Sequence, residues 1–378
     1  METQSMAKKE MEIVGAGPSG LVAAMTLQKA GFQVKVYEAR KDVGCRFHGD
    51  FQGIENWSQE EDILETLDKM GIAINFRCGP FYGGRIYGPT GEQLDLQSKT
   101  PLFYLVRRGQ VPDSLDQGLK TQALEAGVEI LFEHRKKTIE GRAITATGPK
   151  GADAIAKGVT FHTDLPDQSL TILDDEIAPG GYAYFLIHEG LATMATVLFR
   201  DYHQEKACFE KMKQAFQKLI PYKMSDPREF GGFGNFYIAK SEEHGPRLYI
   251  GESAGFQDFL WGFGMRYAMV SGYLAAQSII RNTSYDALWK AQLLPFLQAG
   301  MVNRMLIDRF GATAYRILMK QLKGQAEIRP FMKEKYSMSF KKSLLLPLAK
   351  RHVQSRVKDE RCIHPTNCDC VWCRCAKV

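Results

Sequence analysis

The run Gly15-Ala16-Gly17-Pro18-Ser19-Gly20, with Glu38 after it, is the part of this sequence whose residue types and spacing point most directly to chemistry. In a Gly-x-Gly-x-x-Gly loop the first glycine permits a tight strand-to-helix turn. The second lets backbone approach a pyrophosphate, and the third lets the helix pack closely on the sheet. Phosphate at the helix start meets unpaired N–H groups and the positive end of the macrodipole. Glu38 stands near the roughly 20-residue offset of a carboxylate that accepts both ribose hydroxyls. Its charge repels a 2′-phosphate, so the expected nucleotide lacks one. A second cluster closes the chain: Cys362, His364, Cys368, Cys370, Cys373 and Cys375. Thiolates and imidazole so closely spaced suit zinc or an iron–sulfur cluster, with a reduced or redox-active tail as the alternative. No Ser-His-Asp order or paired-carboxylate motif suggests hydrolysis.

The elements that must position these groups follow from apolar patterning. Met11 to Val14 reads as a strand, Leu21 to Ala30 as a helix and Gln33 to Glu38 as a second strand, which places the glycines at a strand-to-helix turn. Ser58 with Glu61 reads as a capping box opening a helix that runs to Met70. Residues 72–96 read as short antiparallel pieces. Leu102 to Val106, a helix from about Pro112 to Ala126 and Val128 to Phe132 read as a unit that returns to the nucleotide sheet. A Glu140-Gly141 hairpin turn leads to a strand beside the nucleotide. Strand after strand is expected over 159–199, then an amphipathic helix from Asp201 to Leu219, a strand Leu248 to Ile250 that breaks at Gly251, and helices over 265–281, 285–310 and 314–322. The expected organisation is an α/β fold in which residues 11–71, 102–158 and 245–282 form a discontinuous Rossmann-like domain. Residues 72–101 and 159–244 form an interleaved antiparallel-sheet substrate domain, 283–350 a helical C-terminal part, and 351–378 the Cys-rich tail.

The stretch Leu248-Tyr249-Ile250-Gly251-Glu252-Ser253-Ala254-Gly255-Phe256, followed by Trp261-Gly262-Phe263-Gly264-Met265 and a helix containing Ser271-Gly272, resembles the second FAD fingerprint of the flavoprotein hydroxylase superfamily. More narrowly, the sequence resembles the geranylgeranyl reductase family. Pro179-Gly180-Gly181-Tyr182-Ala183-Tyr184-Phe185-Leu186 is similar to its Pro-x-x-Tyr-x-Trp-x-Phe-like stretch, with tyrosine in place of tryptophan. Arg108-Gly109-Gln110-Val111-Pro112-Asp113-Ser114-Leu115 is similar to its Arg-x-x-Phe-Asp-x-x-Leu segment. Two departures stand out: Glu252 replaces the usual Asp, and Cys45-Arg46 with His48-Gly49-Asp50 stands where the family has Cys-Gly-Glu-Gly.

The resemblance implies FAD, held by Gly15, Gly17, Pro18, Ser19, Gly20, Glu38, Ala39, Arg40, Arg46, Arg108, Gly251, Glu252, Ser253 and Gly262, Phe263, Gly264 and Met265. The last four begin a helix whose free N–H groups suit the negative charge of a reduced flavin. It also implies a reductase that saturates C=C bonds of a polyprenyl lipid, with Tyr184, Phe185, Gly180 and Gly181 toward an apolar isoprenoid chain. Hydride addition to an alkene needs a proton on the other carbon, for which Tyr182, Cys45 and His48 are the candidates. No second glycine loop offers a resident nicotinamide site, so NAD(P)H or a reduced electron carrier is expected to donate by transient contact. The alternatives are a monooxygenase on the same fold, and a flavin electron-transfer or redox-sensing protein that works through the Cys-rich tail.

Bulk properties fit an ordinary globular protein. The chain has 378 residues, 44% hydrophobic and 24% charged, and a formal charge of +6, too modest to indicate nucleic-acid binding. No run approaches the roughly 18 apolar residues of a membrane span, and the first ten residues lack a signal-peptide core, so a cytoplasmic location is expected. Cys45, Cys78 and Cys208 are scattered, as reduced thiols are. Lys341-Lys342-Ser343-Leu344-Leu345-Leu346-Pro347-Leu348-Ala349-Lys350-Arg351 sets an apolar run between basic pairs, which suits peripheral contact with an anionic membrane; a buried terminal helix is the alternative.

Overall fold

A computed structural model describes residues 9–136, 141–149 and 151–353. Alternate buried residues Met11, Ile13, Val34 and Val36 lie on paired parallel strands, Glu10–Val14 and Gln33–Tyr37. These two are central to a six-stranded sheet in the order Glu243–His244, Arg247–Tyr249, Ala143–Thr145, Glu10–Val14, Gln33–Tyr37, Glu129–Leu131. It is parallel except for the hairpin at one edge. Crossing from the first strand to the second, helix Pro18–Lys29 starts three residues before the expected Leu21, because Pro18 has φ preset for a helical first turn. Helix Met265–Arg281, where the sequence places it, lies against Pro18–Lys29: a Cβ on Gly272 would come 2.1 Å from the Ser19 carbonyl oxygen.

A second sheet has seven strands in the order Ser225–Gly234, Ala154–His162, Leu191–Leu198, Tyr182–His188, Gln168–Ile172, Gly83–Tyr87, Gln93–Gln97. Its one parallel pairing joins Gln168–Ile172 to Gly83–Tyr87. One face packs on helix Glu205–Leu219 through Phe209, Met212 and Phe216. Helices Tyr285–Gln292, Leu294–Phe310, Ala312–Leu322, Ile328–Tyr336 and Phe340–His352 are the last of the described elements.

Local expectations need correction at two places. Strand Phe103–Arg107 does not return to the nucleotide sheet. It is the centre of a three-stranded antiparallel sheet with Phe51–Glu55 and Cys78–Phe81, and only Glu129–Leu131, after helix Leu115–Glu125, reaches the nucleotide sheet. The helix near residue 60 is Ile63–Lys69, capped by Asp62, whose side chain accepts from the Leu64 N–H. Ser58 is instead buried and donates its hydroxyl to Glu55 Oε1, so the side chain that would have capped is already bonded upstream. The expected turn at 140 and the six tail residues Cys362 to Cys375 fall at or beyond the edges of the described residues. Among the described residues no group of three His, Cys, Asp or Glu side chains could hold a metal. Cys45, Cys78 and Cys208 are free thiols. No described helix is long and apolar enough to cross a membrane.

Candidate active site

The glycine turn is closed by backbone. Gly15 has φ of 107°, and its N–H donates to Tyr37 O at 2.8 Å, tying the first strand's end to the second's. A Cβ on Gly17, by contrast, would meet nothing within 4 Å. Gly17 is the N-cap of Pro18–Lys29 and offers no side chain to the helix's free N–H groups, so an open cradle faces the positive helix end. Glu38 accepts from Ala16 N through Oε2 and from Arg40 N through Oε1, both at 2.9 Å. Each oxygen keeps a second lone pair for a ribose hydroxyl. These residues fit the pyrophosphate and ribose of a dinucleotide.

From this cradle a single cavity of about 1530 Å³ runs between the sheets. Gly15, Gly17, Pro18, Ser19, Glu38, Ala39, Arg40, Arg46, Arg108, Glu252, Gly262, Phe263, Gly264 and Met265 line it. Gly20 does not: a Cβ there would lie 2.0 Å from Gly15 O, so this glycine serves the turn itself. Gly251 and Ser253 also face away from it. The Gly251 N–H donates to Ser271 Oγ, and the Ser253 hydroxyl lies 2.7 Å from Ile250 O and 2.8 Å from Thr145 O, so both brace the loop. Arg46 bridges the cleft, donating to Glu252 Oε2 and Phe233 O at 2.8 Å each. The longer Glu252 side chain therefore finds its partner in the very loop that departs from the family pattern. Arg108 is buried in a bidentate pair with Asp116 at 2.9 and 3.0 Å, its guanidinium 4.0 Å from the Phe47 ring centroid. It braces the 47–49 loop from within the wall.

Strand Tyr182–His188 has a period of two, and its odd and even residues part company. Tyr182, Tyr184 and Leu186 line the cavity. Phe185, expected toward substrate, is fully buried on the opposite face among Phe161, Phe216 and Tyr222. Gly180 and Gly181 also leave the cavity wall: their carbonyls accept from Arg304 Nη2 at 2.7 Å and Tyr315 OH at 2.8 Å, anchoring two C-terminal helices.

The three proton-donor candidates all line the cavity and differ in commitment. Tyr182 donates its hydroxyl to Trp261 O, and burial raises its pKa. Cys45 donates to Asp42 O at 3.0 Å. His48 is exposed and stacks on Phe230, with ring centroids 6.2 Å apart. Tyr184 lines the same wall, and no hydrogen bond of its hydroxyl is found among the described residues. Burial holds it protonated, with pKa well above its ordinary value.

The apolar part of the cavity rests on residues the sequence reading did not single out. Trp57, Leu306, Ile307, Ile317, Leu318, Met332 and Tyr336 form much of it. They come from four separate segments, so no local spacing could flag them. Asp258 staples the loop beside them: its carboxylate accepts from Trp261 N at 2.7 Å, Leu260 N at 3.1 Å and Tyr336 OH at 2.9 Å. Burial pushes its pKa up to about 6.

A family model described as an NAD(P)-binding Rossmann-like domain matches residues 13–53. A digeranylgeranylglycerophospholipid reductase of Methanosarcina acetivorans is 23% identical over 322 residues, 73% of this chain and 75% of the relative. One from Methanosarcina mazei is 22% identical over 74% of this chain and 76% of its own length. Among solved structures, a geranylgeranyl bacteriochlorophyll reductase-like protein from Thermoplasma acidophilum superposes with a TM-score of 0.67 at 18% identity, covering 91% of this chain and 97% of that one. The flavin-dependent brominase Bmp2 gives 0.61 at 16% identity, over 87% and 93%. The resemblance read in the sequence is thus shared by relatives over about three quarters of the chain and by the fold, and the chain is similar to the geranylgeranyl-type lipid reductases.

Proposed function

We propose that this chain is an FAD-dependent reductase that saturates C=C bonds of a polyprenyl lipid of the geranylgeranyl type. The observation that carries this reading is the single cavity of about 1530 Å³, which joins the glycine cradle to an apolar section walled by Trp57, Trp261, Phe263 and Tyr336. Ligand sites of drug-sized molecules occupy roughly 300–1,000 Å³, so there is room for a dinucleotide and a long apolar chain together. Residues 15–19, 38–40, 46, 252 and 262–265 hold the cofactor, which when bound supplies hydride. NAD(P)H or a reduced electron carrier serves as the transient donor.

The protein's own part is to bind, exclude water and deliver a proton. Tyr182 fixes the Trp261 loop through its hydroxyl. Tyr184, on the same face with its hydroxyl uncommitted, is the better-placed donor to the second alkene carbon. Cys45 and His48 flank the cofactor end. The test is an anaerobic single turnover in which the reduced, FAD-loaded protein is mixed with a geranylgeranyl lipid. Flavin reoxidation with a gain of hydrogen pairs in the lipid is the expected result. A flavin that stays reduced until oxygen is admitted would overturn the reading for that lipid, and oxygenated product would identify a monooxygenase.

A further inference from the structure

We propose that Lys335 and Lys342, on the cavity wall built by helices Ile328–Tyr336 and Phe340–His352, form an anion subsite for the phosphate or diphosphate head group of the lipid. The inference rests on the reductase reading above and adds a requirement on the substrate. Both lysines line the same cavity as the glycine cradle, beside Asn303 and among Leu306, Met332 and Tyr336. Lys342 is half-buried, and its ammonium donates to Lys335 O and, at 2.9 Å, to Ser337 O. The Lys335 ammonium lies 4.8 Å from the Phe331 ring centroid. Neither has a carboxylate within ion-pair distance among the described residues. Lys333 and Lys290 do, on Glu60 and Asp286.

Two cations facing one apolar cavity without an ion-paired carboxylate repel one another and lose hydration. Burial, and then the charge of Lys335, push Lys342 down to about 8 against the weaker opposing charge of Glu334. Helix Phe340–His352 adds to this field: it begins beside Lys342 at the Ser339 cap, with no acidic residue in its first turn. A phosphate group supplies what the wall lacks, several acceptor oxygens and negative charge. The cavity also has a place where a head group can enter, since Phe310 and Ile317 line it while each remains 52% exposed.

The experiment titrates FAD-loaded, full-length protein with geranylgeranyl diphosphate, geranylgeraniol and inorganic pyrophosphate, reading the fluorescence of Trp57 and Trp261, which line the cavity. The diphosphate should bind at least about tenfold more tightly than the alcohol, and Lys335→Ala should cost the diphosphate about tenfold while leaving the alcohol unchanged. Lys342→Ala also removes the ammonium that braces the 335–337 turn, so Lys342→Arg is the companion variant; it should keep the preference. Competition by pyrophosphate alone would show that a free anion suffices, and its absence would show that the prenyl chain is needed; either result is compatible only with a diphosphate preference that Lys335→Ala removes. Equal binding of the two lipids by the wild type, or equal losses for both in Lys335→Ala, overturns the subsite. Failure of the reductase reading looks different: the flavin stays reduced while the binding preference persists.

Discussion

Two tyrosines on one strand differ in what their hydroxyls can do. Tyr182 donates to Trp261 O, and its ring meets the Trp261 ring edge-on at 5.3 Å between centroids, so this side chain orients a loop. Tyr184, one cavity-facing position further, has no such commitment. If it supplies the proton, Tyr184→Phe should slow lipid-dependent flavin reoxidation by about 10²- to 10⁴-fold with little change in lipid affinity. Tyr182→Phe should weaken binding more than it slows the chemical step. Stopped-flow reoxidation over a range of lipid concentrations separates the two, and equal rate losses would assign both residues to loop order. That both tyrosines face the cavity was legible from the motif. That Phe185 does not was missed, because the motif was followed where strand period turns the odd residue to the opposite face. What no sequence pattern showed is which hydroxyl is spent, since Trp261 stands 79 residues from Tyr182.

At the scale of elements, the glycine turn, its flanking strands and helix Met265–Arg281 were legible because local signals agree there: glycine spacing, apolar runs and the acid after the second strand. The misassigned elements are those where a competing bond or a strand pairing outside the local pattern decides. Ser58 loses its capping role to a bond with Glu55, and Phe103–Arg107 pairs with two strands that both precede it in sequence. Asp258 belongs with them, a single carboxylate joining the loop before Met265 to helix Ile328–Tyr336. With its folded pKa raised to about 6, the native state holds a proton that the unfolded chain has released. Stability from this group is therefore full below the ordinary aspartate pKa of about 4 and falls as pH rises towards about 6, by an amount on the order of 3 kcal/mol. Urea midpoints measured across that window should decline with pH in the wild type, and the Asp258→Asn variant should lack this component. Parallel slopes for the two proteins would remove Asp258 as the cause.

At the scale of the whole molecule, the cavity opens among C-terminal helices whose outer surface is unusually apolar. Phe340, Leu344 and Leu348, four residues apart on helix Phe340–His352, are 79%, 64% and 56% exposed. The same helix turns Leu345, Leu346 and Ala349 to the core and is tied to helix Leu294–Phe310 by His352 to Asp308 at 3.4 Å. That neighbouring helix ends at Phe310, on the cavity mouth. One face of this segment is packed, and another carries an apolar stripe beside Lys341, Lys350 and Arg351, all exposed. Burying such side chains in a bilayer interface is worth roughly 1.5–3 kcal/mol each, and a nearby basic residue about 1 kcal/mol on an anionic surface. A lipid substrate would then pass from the membrane into the cavity without crossing water. Replacing Phe340, Leu344 and Leu348 together by serine should reduce co-sedimentation with phosphatidylserine-containing vesicles by tenfold or more. Turnover of detergent-dispersed lipid should stay near the wild-type rate, because none of the three lines the cavity. A triple variant that sediments like the wild type would place any membrane contact elsewhere.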